Sequence, residues 1–381
     1  AEKVIGKVGA VVALSFFFFY PYGIIASRSF QPETLLVACL SLYAWAAVNW
    51  HYKGTWGWSV AAGFLGGLAI LIKAVAAFFV LGMWLGLILA QGSLLQALRN
   101  RKLWIAAILT IIPYGIFYYY GVNISGKLTS QFSMRFFPQL WTQPAFYLRW
   151  LGSLREAVGL EWLIAGLLGT VLIKEKAFRW MYLGAWLGYC LLGFTLPHHI
   201  STHDYYHLPL YLMVAIGSGA VAAVIVKKIP DFTKWGQAFA FLLLIFGITI
   251  YSYGAYSKLK KTNYSAEVAF WQDLGNSIGH DSGVIALSED YGNRLAYWGW
   301  LTPANWLTAS DIQFRQTAGQ DFDFPTYFNK NTAGKDYFLI TLLDEFERQT
   351  DLKNLLFEKF VIAKETSRYI LFDLRQPSPA N

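Results

Sequence analysis

Long apolar segments recur through the first two thirds of this 381-residue chain, and they restrict the folds that are open to it. Windows of about 17 to 25 mostly apolar residues are typical of transmembrane helices, because a helix satisfies all its own backbone polar groups in lipid. Nine such segments are predicted, near residues 8–26, 34–50, 56–72, 75–92, 103–122, 158–173, 178–196, 208–226 and 236–256. The sequence therefore predicts an all-α polytopic membrane domain.

Composition and charge divide the chain into two predicted domains. Only 14% of the residues are charged, against roughly 25% in ordinary soluble domains. Of the 23 acidic residues, 16 follow Tyr256. We predict a multi-pass membrane domain at 1–256, with an outer interfacial loop at 122–157, and a soluble domain at 257–381. The basic excess of the first domain fits contact with membrane lipids, and no module typical of nucleic-acid binding is present.

The basic residues that flank the apolar segments predict an orientation. They concentrate at alternate ends of these segments, and such ends face the cytoplasm. These residues are Lys3, Lys7, Lys53, Arg99, Arg101, Lys102, Lys174, Lys176, Arg179, Lys227, Lys228 and Lys234. We therefore predict a cell-membrane protein whose functional face and C-terminal domain lie outside the cytoplasm.

The C-terminal part has the pattern of a small α/β domain. Ser265 is a predicted N-cap for a helix that ends at Ile278 and has Trp271, Leu274 and Ile278 on one face. Short β-rich runs predict strands at 284–288, 337–342, 360–364 and 369–374, the last two forming a hairpin. The domain has no glycine-rich phosphate loop and no nucleophile elbow. We interpret it as a lid or recognition module.

A polar segment from Leu196 to Leu210 contains four of the six histidines. Ionisable residues beside apolar segments are costly and often functional. One interpretation is a divalent-metal site formed by His199, His203 and Asp204. Another is a loop that binds a sugar and a phosphate, and a third is a purely structural cap. The pattern itself requires no cofactor, and the metal alternative stays open here.

Few other ionisable residues are predicted on the outer side. The outer acids of the membrane domain are Glu33, Glu156, Glu161 and Asp204. Glu33 follows Pro32 at a helix start. One interpretation is that the helix dipole favours an acid there, and the other is that Glu33 is a substrate-facing carboxylate partnered by Arg28. Lys73 lies at a short outer turn, where it extends to the interface or binds a lipid phosphate as a point charge.

Three motifs together resemble a known family. The stretch His203-Asp-Tyr-Tyr-His-Leu-Pro-Leu210 resembles a His-x-Tyr-Tyr-x-Leu-Pro-Leu signature. Gln31-Pro-Glu-Thr-Leu-Leu at a helix start and the leucine-rich run that ends at Lys73 occur in the expected order. The chain is similar to bacterial membrane glycosyltransferases of the dolichyl-phosphate-mannose protein mannosyltransferase and aminoarabinose transferase type.

The resemblance implies a GT-C fold and transfer of a sugar from a polyprenyl-phosphate donor to a lipid, glycan or protein acceptor at the outer face. It implies catalytic roles for Glu33 and Asp204. Residues implied for binding the donor and its phosphate are Arg28, Lys73, Arg135, His203, Tyr205, Tyr206 and His207. The first apolar segment resembles the third helix of the family. On that alignment the first two helices and the acidic loop between them are missing, so the chain is either an amino-terminal truncation or a degenerate member of the family. If it is truncated, these 381 residues alone are expected to be inactive.

The alternative function is a non-enzymatic transporter or a receptor with an outer ligand-binding tail. A transporter is expected to have internal repeats and buried ion-coupling residues. The sequence has no obvious repeat and no acid in the middle of an apolar segment, and its polar residues cluster at one face. This distribution favours a reaction at the membrane interface.

Overall fold

The computed structural model describes residues 2–29, 31–92, 94–129, 136–228, 234–261, 263–317 and 319–377. Its contacts divide the chain into two compact units, Ala1–Lys261 and Thr262–Asn381. The boundary follows residue 261 and not residue 256, because the last helix of the N-terminal unit continues to Lys261.

The N-terminal unit is helical throughout its described residues. Its helices are α1 Glu2–Phe19, α2 Pro21–Ala26, α3 Glu33–Lys53, α4 Trp56–Ile72, α5 Ala76–Ala90, α6 Leu94–Leu98, α7 Arg101–Tyr119, α8 Pro144–Ala157, α9 Leu160–Leu172, α10 Lys176–Thr195, α11 Pro197–Thr202, α12 Leu210–Lys228 and α13 Lys234–Lys261. Each of the nine predicted apolar segments contains a helix. The segment 8–26 contains two, because the chain is extended at Tyr20 before Pro21.

Four segments are long and apolar enough to cross a membrane, as judged on the described residues. They are Glu33–Lys53, Arg101–Ile124, Leu210–Lys227 and Ala238–Ile278. Shorter apolar helices lie at Val4–Phe19, Trp56–Ile72, Ala76–Ala90 and Leu160–Leu172. The predicted total of nine crossings therefore stays a prediction.

Glycines allow several of these helices to approach closely. A Cβ atom at Gly82 of α5 would clash with the carbonyl oxygen of Gly184 in α10, and the converse is also true. A Cβ atom at Gly169 of α9 would clash with the carbonyl oxygen of Gly217 in α12, and one at Gly217 would clash with the carbonyl oxygen of Gly166. Close backbone contact through small residues is typical of helix packing in membranes, where dispersion contacts replace the hydrophobic effect.

The loop predicted at the outer interface contains two helical pieces. A 3₁₀ turn, Pro138–Thr142, precedes α8. Within α8, Phe146 is fully buried and Leu148 is exposed, so this helix is amphipathic. Trp150 Nε1 donates a hydrogen bond of 2.6 Å to the hydroxyl of Tyr189 in α10, which ties α8 to the helical core.

The C-terminal unit is built on one mixed sheet. Its strands are β1 Val284–Leu287, β2 Ala304–Asn305, β3 Tyr337–Ile340, β4 Phe360–Glu365 and β5 Ile370–Pro377, in the order β2-β1-β3-β5-β4. Strand β1 is parallel to β2 and β3, and β5 is antiparallel to β3 and β4. Its helices are α14 Ser265–Ile278, α15 Asn293–Trp298, α16 Ala309–Thr317, α17 Phe324–Thr332, α18 Leu343–Arg348 and α19 Thr350–Lys359.

Most local predictions for this unit agree with the structure. Strands β4 and β5 form the predicted hairpin, and Trp271, Leu274 and Ile278 are buried. The predicted N-cap is wrong by one residue. The cap is Tyr264, and Ser265 donates its backbone N–H to the side chain of Asn263. The two-residue strand β2 is too short for its pattern to be recognised in the sequence.

Candidate active site

Glu33 and Lys73 form a buried ion pair, although 40 residues separate them in the sequence. Glu33 is the first residue of α3 and is 3% exposed. Lys73 follows α4 in an extended conformation, which directs its side chain away from the helix axis. Its ammonium contacts Glu33 Oε1. Glu33 Oε2 is buried and accepts no hydrogen bond from the part of the chain that the structure describes.

Two tyrosines of the predicted signature enclose the same ammonium. Lys73 Nζ lies 4.5 Å from the ring centroid of Tyr205 and 4.3 Å from that of Tyr206. Both distances are within the range of cation–π attraction. These rings belong to a 3₁₀ turn, Asp204–His207, that directly follows α11. The structure therefore brings together three segments that the sequence singled out separately.

His203 lies beside this cluster and is neutral at pH 7. Burial first, and then the Lys73 ammonium, lower the pKa of His203. Its Nδ1 is 2.8 Å from the Thr202 hydroxyl, and its ring stacks on that of His199 with centroids 5.6 Å apart. A neutral imidazole can accept or donate a proton near pH 7, and it adds no positive charge to the site.

Asp204 has a neighbour that its sequence context does not reveal. The Asp204 carboxylate lies near the hydroxyl of Tyr22, in the short helix α2, and the two groups interact electrostatically. Tyr22 is 8% exposed. A tyrosine in an apolar, aromatic-rich segment carries no local signal of such a contact, so only the tertiary structure reveals it.

His207 has a supporting position in the interior. It is fully buried, and its Nδ1 lies 2.7 Å from the Tyr189 hydroxyl. The same hydroxyl accepts the N–H of Trp150, so Tyr189 links α8 to the turn that carries His207. Burial lowers the pKa of His207 to about 4. A neutral, enclosed side chain is unsuited to the phosphate contact that the resemblance implied.

The remaining predicted site residues have different outcomes. Arg28 is exposed, and the acid predicted to pair with it, Glu33, is paired with Lys73 instead. Arg135 lies outside the described residues. The alternative of a metal at His199, His203 and Asp204 is not supported, because the described residues contain no group of three or more potential ligands.

The fold and this cluster define a class of protein, a multi-helix membrane protein that has a site of buried carboxylate, ammonium and aromatic groups in one unit and a second, α/β unit. Residues 1–120 match the family model described as dolichyl-phosphate-mannose-protein mannosyltransferase. The match confirms the resemblance to this GT-C family, which implies glycosyltransferase activity in general. It includes Glu33 and Lys73 and ends before the histidine-containing turn. No curated protein matches the chain.

Proposed function

We propose that this protein transfers a sugar from a polyprenyl-phosphate donor to a lipid, glycan or protein acceptor at the outer face of the cytoplasmic membrane. The observation that carries the proposal is the Lys73 ammonium, which is held between the Glu33 carboxylate and the rings of Tyr205 and Tyr206. A lysine enclosed in this way is typical of a site that binds an anion with little bulk water.

Lys73 is suited to the donor phosphate because an ammonium has three N–H donors. It can therefore bind Glu33 Oε1 and phosphate oxygens at the same time. His203 is neutral and Asp204 carries a negative charge, so Lys73 is the cation that this group of residues offers to a phosphate. Electrostatic stabilisation of a departing group by a preorganised cation is commonly the largest catalytic contribution.

The reaction is a single displacement at the anomeric carbon. The acceptor oxygen or nitrogen forms a bond to this carbon while the bond from carbon to the phosphate oxygen breaks. Polyprenyl phosphate leaves with the electron pair, and the acceptor proton passes to a carboxylate. Glu33 contacts Lys73, and Asp204 directly precedes the two tyrosines that enclose this ammonium. Glu33 Oε2 accepts no hydrogen bond from the described residues. The configuration at the anomeric carbon is inverted.

The outer-face location follows from the distribution of basic residues. The ends of the helices that carry most lysines and arginines are expected to face the cytoplasm. Glu33, Lys73 and the turn Asp204–His207 lie at the opposite ends of their helices. A donor whose phosphate lies at the lipid interface can reach this position without leaving the membrane.

The test is an assay of polyprenyl-phosphate release and sugar transfer, with the protein expressed from its complete reading frame and reconstituted in lipid. Polyprenyl-phosphate hexoses and pentoses serve as donors. We expect Lys73→Ala and His203→Ala to reduce turnover, the former about 100-fold or more. Lys53→Ala is the matched control, because Lys53 is exposed and also lies over an aromatic ring, that of Trp58, at 5.2 Å.

Two results would contradict the proposal. One is unchanged turnover in Lys73→Ala. The other is a folded protein that turns over no donor and instead binds or moves a solute, which would favour the transporter or receptor.

A further inference from the structure

The sheet of the C-terminal unit has a point at which its strand order reverses direction. From β1 the chain passes to β2 on one side and then to β3 on the other side, and all three strands are parallel. In open α/β sheets such a point leaves a crevice outside the carboxyl ends of the two diverging strands, and ligands commonly bind there. In this unit the strand order places such a crevice at the carboxyl ends of β1 and β3.

The turn that follows β1 at this crevice is strained. Its residues Asp290 and Tyr291 are consecutive and have φ values of 49° and 56°, although neither is a glycine. The preceding Ser288 has a buried hydroxyl without a hydrogen-bond partner in the described chain. Non-glycine residues in the left-handed region are unfavourable and cluster at functional sites. Requirements of folding alone do not explain two of them in succession.

The side chains at the crevice are those that recognise sugars. Glu289, the second residue after β1, accepts a hydrogen bond from the hydroxyl of Thr341, the first residue after β3. Tyr291 is 57% exposed, and its hydroxyl lies 3.4 Å from Asp311 Oδ1, which fixes the direction of the ring. A carboxylate and a hydroxyl beside an exposed aromatic face provide hydrogen bonds for sugar hydroxyls and a flat surface for the sugar ring.

The charges and side chains around this site argue against an anion or a metal ion as its ligand. The guanidinium of Arg294 is paired with two carboxylates, those of Asp290 and Glu267, which offset its positive charge. Glu289 and Asp311 add further negative charge, which disfavours a phosphate. The described residues contain no cluster of three or more metal-binding side chains.

We propose that the C-terminal unit binds a neutral sugar at the carboxyl ends of β1 and β3, with the sugar ring on Tyr291 and its hydroxyls on Glu289 and Thr341. This site is separate in sequence and in structural unit from the cluster around Lys73. It does not depend on the proposed transferase activity, although a glycan acceptor is one ligand that would use it.

The experiment measures binding of the methyl glycosides of mannose, glucose and galactose by saturation-transfer NMR. The full chain is used in lipid nanodiscs, because maltoside detergents would themselves occupy a sugar site. We expect saturable binding that weakens at least tenfold in Tyr291→Ala and in Glu289→Gln. Tyr297→Ala is the matched control, since Tyr297 is another exposed tyrosine, 76% against 57% for Tyr291, that lies on α15 and does not follow a strand. Its affinity is expected to stay within twofold.

Two further variants test whether sugar binding at this crevice is independent of the cluster around Lys73, and whether the strained turn has more than a structural role. Lys73→Ala is expected to retain sugar binding, so that failure of the transferase proposal leaves this one intact. Tyr291→Gly relieves the strained φ angle and should raise the unfolding temperature while it weakens binding. The proposal is overturned if no glycoside binds saturably, if Tyr291→Ala and Glu289→Gln bind normally, if Lys73→Ala abolishes binding, or if Tyr291→Gly is stabilised with unchanged affinity.

Discussion

Replacement of Lys73 by methionine should destabilise the N-terminal unit through the carboxylate that it leaves behind. Glu33 is 3% exposed, so its charge would have neither water nor an ammonium to stabilise it. Removing one partner of a buried ion pair costs about 3 to 5 kcal/mol. The Lys73 side chain is 21% exposed, which allows some water to reach the site and favours the lower end of that range. We therefore expect Lys73→Met to cost about 3 kcal/mol.

The double variant Glu33→Gln/Lys73→Met tests this reasoning directly. With no uncompensated charge in the site, it should recover most of the stability that Lys73→Met loses, while sugar transfer stays absent. The two single variants and the double variant form a cycle whose interaction free energy isolates the pair. Thermal unfolding of the reconstituted protein, followed by the fluorescence of its 16 tryptophans, is a suitable measurement. The control is Lys53→Met, for which we expect a change within about 0.5 kcal/mol.

One outcome would refute the argument. If the double variant unfolds at the same temperature as Lys73→Met, the loss of stability arises from the missing lysine itself, through its contacts with the tyrosine rings. The buried charge of Glu33 would then contribute nothing measurable to it.

Three further predictions concern other parts of the fold. The pKa of His207 is about 4 in the folded protein, against an ordinary value of 6.5. Stability should therefore fall as the pH drops below 6.5, by about 2 kcal/mol between pH 7 and pH 5. The variant His207→Gln should lose this pH dependence in unfolding scans recorded at a series of pH values. Gly184→Ala should destabilise the α5–α10 contact by about 1 to 3 kcal/mol in thermal unfolding, whereas Gly115→Ala, with no atom within 4 Å of the added carbon, should be nearly neutral. A hydrogen bond from Arg375 lowers the pKa of Asp373 below its usual 3.8. The ionised Asp373 therefore stabilises the folded unit above pH 3.8, and this contribution is lost as the pH falls through the lowered pKa. Asp373→Asn should lower the unfolding temperature at pH 7 but not at pH 2.

The residues of the candidate site were recognisable in the sequence, but their partners were not. Glu33 and Lys73 attract attention because ionisable residues beside apolar segments are rare. The pairing of Glu33 with Arg28 was predicted from closeness in the chain. The structure pairs it with Lys73, because α3 and α4 are adjacent antiparallel helices, and the start of α3 meets the end of α4. No local pattern encodes that meeting.

His207 illustrates the same limit. A histidine within a polar segment was expected to contact the donor phosphate, since sequence spacing cannot distinguish a side chain that faces a cavity from one that faces the core. Its burial and its hydrogen bond to Tyr189 depend on the close approach of α10 to the turn that carries it. The strained turn after β1 was likewise invisible, because no local pattern indicates two consecutive residues with positive φ, and tyrosine rarely adopts it.

The sequence by itself determined the helical nature of the N-terminal unit and the hairpin of the C-terminal unit. The physical reason is that both follow from interactions between near neighbours in the chain, namely hydrogen bonds within one apolar segment and alternation along a strand. The tertiary structure alone decided which carboxylate meets which cation and which histidine is buried. Those contacts join residues tens of positions apart, and their geometry depends on how whole helices pack through their glycines.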